Sequence, residues 1–347
     1  VDGTWDLDVF GGVRRGVEAA NANIEAAQED LRDTLVTLLS QVATNYFAVR
    51  GNQRRIAVAM ENIRTQQETV ALAQGRFEAG LGSRLEVAQA QTLLATTESQ
   101  VPTLEASVKQ AIHQLGVLIG SEPETLLAEL SQTQPIPAAP VTVPVGLPAD
   151  LLRRRPDIRR AERQLAAATA EIGVAVADLF PKLSLTGSYG YQSAQSSSLF
   201  SSNSQYWNWG PGVTLPLFSG GRIRGNIQVQ TALQEQALAT YENTVLTALK
   251  DVEDAIASYT ETEAARTSLT QAVQASGEST EISRDLYQKG LVDFLNVLQS
   301  ESSLYQAQDR LIQNEQQALT ALATLFQALG GGWEVLAAEP TTTEAKG

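Results

Sequence analysis

Two similar stretches, RFEAGLGSRLEVAQAQ at Arg76–Gln91 and LYQKGLVDFLNVLQSE at Leu286–Glu301, decide the fold. Their glycines Gly80 and Gly290 stand 210 residues apart, and apolar residues occupy matching positions on both sides of them. A glycine just past a long apolar period, followed by a polar residue and a new period, is typical of a tip where one helix ends and another returns. Two such tips indicate an internal two-fold sequence repeat.

Each tip stands at the end of a very long helical pattern. Apolar residues recur every seven positions ahead of Gly80, which predicts a helix over residues 16–79 that packs lengthwise on other helices. At about 1.5 Å per residue such a helix is roughly 95 Å long. The same kind of pattern predicts helices over 84–119, 223–289 and 293–329. The first seven-residue series is Leu35, Val42, Val49, Ile56, Ile63, Val70 and Phe77.

Two regions alternate between apolar and polar residues, as strands do. Val1–Phe10 is one, and residues 181–218 form a hairpin with strands of about ten residues, the length that crosses a bilayer when tilted. We expect their aromatic residues to anchor the membrane interface, but a hairpin in a water-soluble sandwich fits the alternation equally well. The aromatic residues are Trp5, Tyr189, Tyr191, Tyr206, Trp207 and Trp209.

The composition excludes several classes of function. The formal net charge of -14 argues against nucleic-acid binding. The chain has no cysteine and His113 is its one histidine, so thiolate and multi-histidine metal sites and a histidine-based catalytic triad cannot form within one chain. No phosphate-binding glycine loop is present, and we expect no cofactor, no metal and no enzymatic activity. No apolar run of 18 residues predicts a transmembrane helix.

A proline-rich segment separates the two repeats. Residues 122–150 contain six of the twelve prolines and indicate an extended connector. A run of arginines follows, for which we expect ion pairs with the acidic surface rather than contact with anionic lipid. Pro156 then begins a further helix. The arginines are Arg153, Arg154, Arg155, Arg159 and Arg160.

Four stretches resemble the TolC-type family of outer-membrane efflux channels, and more closely its OprM-like lipoprotein branch, which serves pumps of the resistance–nodulation–division (RND) class. They occur in family order and span nearly the whole chain. They are Gly146–Tyr191, the junction VTLPLFSGGRIRGNI at Val213–Ile227 with its weaker copy WDLDVFGGVRRG at Trp5–Gly16, the two tips, and ALGGGW at Ala328–Trp333.

The resemblance implies a mixed, mostly α membrane protein that assembles as a homotrimer. Long antiparallel helical hairpins would form a trimeric α-barrel, continuous with a 12-stranded transmembrane β-barrel to which each protomer gives three or four strands. The residues support shared strands independently, because three or four strands are too few to close a barrel and a lipid-facing sheet cannot keep an open edge. The expected location is the outer membrane of a Gram-negative bacterium, with a long periplasmic part.

This interpretation divides the chain by element. Residues 1–10 would be a barrel strand, 11–121 the α-barrel helices of the first repeat with a tip at 80–83, and 122–155 the connector. Residues 156–180 would be a helix of the second repeat, 181–218 the barrel hairpin, 219–329 the second α-barrel helices with a tip at 290–293, and 330–347 the C-terminal tail. Because the first repeat has no counterpart of 156–192, we expect a further N-terminal segment, with any lipidated cysteine, before Val1.

The resemblance also implies site residues. The tip turns would dock on a periplasmic adaptor (membrane fusion) protein, and residues just beyond them would form a gate in the lumen. The family has gate carboxylates where this chain has Asn296 and Gln299, so we expect a weaker ring of charge. The docking residues are Gly80, Leu81, Gly82, Ser83, Gly290, Leu291, Val292 and Asp293. The gate residues are Glu86, Gln89, Leu295, Asn296 and Gln299.

The function that follows is passive conduction without bond chemistry. The channel would be the outer-membrane exit of a tripartite multidrug efflux pump, receiving drugs or other small toxic compounds from the adaptor and an inner-membrane RND-type transporter. Three chains of this charge would favour cationic cargo. Two alternatives stay open, namely the outer-membrane duct of a type I protein secretion system and, from a different class, a soluble coiled-coil scaffold.

Overall fold

The computed structural model describes residues 1–137 and 154–331. Most of these residues are helical, and three strands form a small sheet. Arg153 and the rest of the connector from residue 138, and the tail from residue 332 with Trp333, lie outside the described residues. The elements are β1 (Asp2–Leu7), α1 (Gly12–Glu78), α2 (Arg84–Leu118), α3 (Leu127–Leu130), α4 (Pro156–Ala177), β2 (Lys182–Tyr191), β3 (Gln205–Thr214), α5 (Arg222–Gln288) and α6 (Phe294–Ala328).

The long helices end where the glycines predict. Gly80 follows α1 and Gly290 follows α5, with φ values of 69° and 75°, a conformation that glycine adopts at little cost. α1 begins four residues earlier than the apolar period predicts. The reason is Asp8, whose carboxylate accepts hydrogen bonds from the backbone N–H groups of Val13 and Arg14, each at 2.9 Å. These are among the amides that a helix start leaves unpaired.

The three strands form one antiparallel sheet in the order β1–β2–β3. β1 pairs with β2 from Asp2↔Ser188 to Leu7↔Leu183, and β2 pairs with β3 from Lys182↔Thr214 to Tyr191↔Gln205. Since paired residues share a face and successive residues alternate, the sheet has an apolar face and a polar face. The apolar face carries Trp5, Leu7, Leu183, Leu185, Tyr189, Tyr191, Trp207, Trp209 and Val213.

The described residues fall into two compact units. The first unit takes them from Val1–Asp33 and Leu152–Ala248, and it holds the sheet, α4 and the first parts of α1 and α5. The second unit takes them from Thr34–Leu151 and Leu249–Gly347, and it holds the remaining helices with both tips. This division does not follow the two repeats, so the domain boundaries given above stay a prediction. None of the described helices combines the length and the apolar content needed to cross a membrane.

Beside the tips, the second unit has one apolar cluster that we call the tip cluster. It joins α1, α2, α5 and α6, so the helices of both tips share a core, and its buried members keep water away from the tip-proximal turns. Its buried residues are Ala73, Val87, Ala90, Tyr287, Phe294, Val297 and Leu298.

Candidate functional site

The two tips close their helices in the same way. The N–H of Leu81 donates to the carbonyl of Arg76 at 2.8 Å, and the N–H of Leu291 donates to the carbonyl of Leu286 at 2.9 Å. This bond satisfies one of the last carbonyls of each helix. The side chains of Leu81 and Leu291 are 69% and 68% exposed. Each tip therefore has a solvent-exposed leucine at the same position of the turn.

The other predicted docking residues begin the returning helices. Ser83 caps α2, and its hydroxyl accepts a hydrogen bond from the N–H of Glu86 at 3.3 Å. Asp293 holds the same position before α6 and is exposed, whereas Val292 packs against the tip cluster. The glycines of both tips, with Gly82, give the turns their shape. Contact of these residues with an adaptor stays a prediction.

A buried tyrosine links the two tips. Tyr287 is 4% exposed, and its hydroxyl donates to the carboxylate of Glu86 at 3.0 Å. The guanidinium of Arg76 lies 4.7 Å from the centre of the tyrosine ring, and the Phe294 ring lies 5.1 Å from it. Burial, and then the hydrogen bond to Glu86, raise the pKa of Tyr287. The phenol therefore remains a protonated donor at neutral pH.

A buried ion pair joins three helices about three turns beyond the second tip. Glu301 of α6 is 2% exposed, and its Oε1 accepts hydrogen bonds from Arg284 Nε at 3.0 Å and Thr69 Oγ1 at 2.6 Å. Arg284 of α5 also donates to the carbonyl of Thr65 on α1 at 2.9 Å. The second carboxylate oxygen of Glu301 is buried without a hydrogen-bond partner among the described residues. The two helical hairpins are thus tied together at a point where a lost partner would be costly.

The predicted gate residues have two kinds of surroundings. Glu86 and Gln89 are half-buried, while Leu295, Asn296 and Gln299 are exposed. An open groove of about 350 Å³ between α5 and α6 includes Asn296 and Gln299. Its other lining residues are Ala275, Ser276, Ser279, Ser283, Ser300 and Ser303. This surface offers hydroxyl and amide groups and no charged side chain. That these residues form a gate stays a prediction.

Most of the predicted interface aromatics share one side of the sheet. Trp5, Trp207 and Trp209 lie on the apolar face and are each more than 60% exposed. Tyr189 and Tyr191 lie on the same face. Tyr206 pairs with Gly190 and therefore points to the polar face. The grouping of Tyr206 with the other aromatic residues is therefore wrong: Tyr206 is close to them along the chain, but the register of β3 turns it to the opposite face.

Sequence reasoning missed the polar contacts at the tips. Tyr287 stands 210 residues after Phe77, at the matching position of the second tip, and this position indicates only an apolar contact. The pairing of Arg284 with Glu301 is not indicated by the sequence, because a charged residue in an amphipathic helix predicts a solvent-exposed face. Within residues 1–137 and 154–331, no three acidic or histidine side chains are grouped so that they could hold a metal ion.

Known proteins similar to this chain were found by sequence and by structure. The chain is 33% identical over 335 residues to the solvent efflux pump outer membrane protein SrpC of Pseudomonas putida, covering 95% of this chain and 70% of that protein. It is 33% identical to the outer membrane protein OprJ of Pseudomonas aeruginosa, covering 95% and 69%.

A solved structure has the same fold. The outer-membrane channel OprN superposes with a TM-score of 0.92 at 37% sequence identity, covering 96% of this chain and 75% of that one. The model of the family described as outer membrane efflux protein matches residues 2–121 and 147–331, which include the sheet and all the long helices. The chain therefore belongs to the outer membrane efflux protein family.

Proposed function

We propose that three copies of this chain form the outer-membrane exit duct of a tripartite efflux pump, through which small toxic compounds pass passively to the outside. Family membership makes the protein an outer-membrane efflux channel protein with a large helical periplasmic part. The trimer, the shared barrel, the internal repeat, the adaptor and the RND-type transporter are the proposed part.

The two-faced sheet carries the proposal. Its apolar face bears three exposed tryptophans, and its polar face bears serine, threonine and asparagine side chains. In the described sheet the outer edges of β1 and β3 have no strand beside them. Unpaired backbone groups in lipid cost several kcal/mol each, so these edges must pair with further strands. A barrel of 12 strands shared by three subunits closes the edges and turns the apolar face to lipid.

The tip contacts support a closed gate that opens by separating the helical hairpins. Tyr287 on α5 bonds to Glu86 on α2, and Arg284 on α5 bonds to Thr69 on α1. Both bonds join the hairpin of the second repeat to that of the first. Moving one hairpin away from the other breaks both bonds, and an adaptor that contacts the exposed tip leucines is placed to favour that movement.

The cargo class follows from the relatives and from the groove. The name of SrpC states solvent efflux, and the groove beside Asn296 and Gln299 offers neutral polar groups rather than fixed charges. We infer that this duct conducts small organic molecules. No observation favours a protein-secretion duct, and the exposed tryptophan face opposes a soluble scaffold.

The experiment that tests the assembly is the mass of the protein in detergent. Size-exclusion chromatography with multi-angle light scattering should give a protein mass three times the 37.2 kDa of one chain. A variant with Trp207→Ser and Trp209→Ser, which removes two apolar anchors, should retain that mass but associate less with lipid vesicles on flotation. A monodisperse single chain in detergent would overturn the proposal.

A further inference from the structure

The chain that leaves β1 runs beside the chain that enters β2 well beyond the strands. Just past the last strand pair, the rings of Phe10 and Phe180 stack with their centres 4.8 Å apart. A Cβ added to Gly12 would lie 3.1 Å from the Cβ of Ala177, so the start of α1 touches the end of α4. Strands and helices form one continuous antiparallel alignment.

Ion pairs extend this alignment along α1 and α4. Arg163 lies 3.1 Å from Glu25, and Arg159 lies 2.8 Å from Glu29. A step of four residues along α1 is therefore matched by a step of four residues back along α4. Further along α1, two more carboxylates pair with a third arginine. We call these residues the α1–α4 ladder: Glu25, Glu29, Asp30 and Asp33 with Arg159, Arg160 and Arg163.

The middle ion pair of the ladder, Glu29 with Arg159, has the most buried carboxylate; each such pair is one rung of the ladder. The side chain of Glu29 is 6% exposed, and its Oε1 lies within 2.8 Å of both Arg159 and Arg32. Separating a buried carboxylate from its arginine leaves an uncompensated charge. Sliding α4 along α1 is therefore opposed most strongly at this rung. The arginine run was expected to form ion pairs with acidic residues. For Arg159 and Arg160 this expectation is confirmed.

The spacing of the rungs discriminates between strand registers. Four residues of helix advance about 6 Å, whereas a slip of one residue between paired strands moves them about 3.4 Å. That slip is about half the distance between successive ion pairs, so it would leave each carboxylate midway between two arginines. It is also the slip that would turn Trp5 and Leu7 to the polar face. A slip of two residues keeps the faces and loses one rung.

Short connections pass a shift of the helices on to the strands. Only residues 8–11 separate β1 from α1, and residues 178–181 separate α4 from β2. Asp8 is bonded to the first turn of α1, and Lys182 of β2 pairs with Asp178 at 2.8 Å. Neither connection has spare length to absorb a displacement of one strand residue.

We propose that the α1–α4 ladder sets the register of β1 against β2 and so decides which face of the sheet carries Trp5. All six residues of β1 are exposed in the single chain, so contacts of the strand's side chains within one chain give little preference between registers before the sheet meets lipid. Glu29 and Arg159 are positioning residues that act on the sheet through the helices. Only one part of this inference rests on the proposed function, namely that the apolar face of the sheet meets lipid.

Introduced cysteines report the register directly, because the chain has no cysteine of its own. Thr4 pairs with Thr186, so Thr4→Cys with Thr186→Cys should form a disulfide on oxidation. Thr4→Cys with Leu185→Cys, and Thr4→Cys with Gly187→Cys, should cross-link only after a slip of one residue in either direction. Each pair is placed in the complete chain and also combined with the ladder variants.

Reversing two rungs with Glu25→Arg and Glu29→Arg should lower the in-register yield by about half or more and raise a slipped yield. Adding Arg159→Glu and Arg163→Glu should recover part of the in-register yield, because Arg32 remains beside residue 29. Glu18→Arg reverses the charge of one member of an exposed pair on the same helix, outside the ladder. It is the control for reversed charge and should leave the yield unchanged.

A variant that neutralises the two carboxylates is used if the charge-reversal variant does not fold and accumulate. Glu25→Gln with Glu29→Gln should then lower the in-register yield partially. An in-register yield that stays unchanged in the folded reversal variant, or in this neutral variant, would overturn the proposal. So would a charge swap that recovers none of the in-register yield. The cross-links are read in denatured protein and do not depend on channel activity, so this test can fail while the proposed duct stands.

Discussion

The hydroxyl of Tyr287 joins the two tips through one hydrogen bond to Glu86. Tyr287→Phe removes the donor and keeps the ring beside Arg76. Such bonds to charged groups contribute about 1.5–3 kcal/mol when buried, and we expect about 1 kcal/mol here because Glu86 is half-exposed. Hydrogen exchange of the amides in residues 284–298 should become about fivefold faster.

Tyr259→Phe is the matched control for this prediction, because Tyr259 lies on the same helix 28 residues before Tyr287 and therefore at the same position of a seven-residue pattern, far from the tip. It should leave exchange at the tip unchanged. If the two variants exchange at the same rate, the bond between Tyr287 and Glu86 does not hold the tips.

Asp33 gives a prediction on pH. Burial, and then the charge of Asp157, raise the pKa of Asp33 above its usual value of 3.8, against the opposing effect of Arg160 and Arg155. The neighbouring carboxylate of Asp30 acts in the same direction. The folded state therefore binds this proton more tightly than the unfolded state, so ionised Asp33 lowers stability above its pKa and this cost disappears as the pH falls.

Asp33→Asn imitates the protonated form at every pH. We expect its unfolding midpoint to exceed that of the original chain at pH 7, with the difference shrinking as the pH falls toward and below 3.8. Thermal unfolding followed by circular dichroism at several pH values measures this. A difference that grows toward acid pH would show that the sign is wrong.

At the scale of elements, the buried pair of Arg284 and Glu301 holds α1, α5 and α6 together. Arg284→Met leaves the carboxylate of Glu301 buried without its cation, and we expect a loss of about 3 kcal/mol in the free energy of unfolding. Adding Glu301→Leu removes the stranded charge and should recover most of that loss. Chemical denaturation of both variants provides the comparison, and a double variant as unstable as the single one would contradict the argument.

The elements themselves were largely predictable from the sequence. The seven-residue pattern gave the long helices, the glycines gave their ends, and alternation gave the strands. The pairing of β1 with β2 was not predictable, because the two strands lie 175 residues apart from Leu7 to Lys182 and nothing local fixes their register. The polar contacts of Tyr287 and Glu301 were not predictable for a related reason. Periodicity identifies the buried side of a helix, but it does not identify which side chain of the neighbouring helix packs against that side.

At the scale of the whole molecule, the second tip is expected to contribute two amides, Asn296 and Gln299, to the gate. Asn296→Asp would place three carboxylates at one level of a trimeric lumen, where they bind cations together. We expect block of the channel by a trivalent cation to become about tenfold tighter in this variant, and the original chain to be blocked weakly. Ser303→Asp, in the same groove but one to two turns further along α6, serves as the control for added charge alone. If the trivalent cation blocks the original chain and the Asn296→Asp variant at the same concentration, residue 296 does not face the lumen.

Conductance across a planar lipid bilayer tests the central claim most directly. The purified protein, added to one side, should insert and give discrete current steps. Tyr287→Phe combined with Arg284→Met should give larger or longer openings, because the bond of Tyr287 to Glu86 and the bonds of Arg284 to α1 are removed. The account is contradicted if the original chain floats with lipid vesicles, and so associates with the membrane, yet neither it nor the double variant gives any current step.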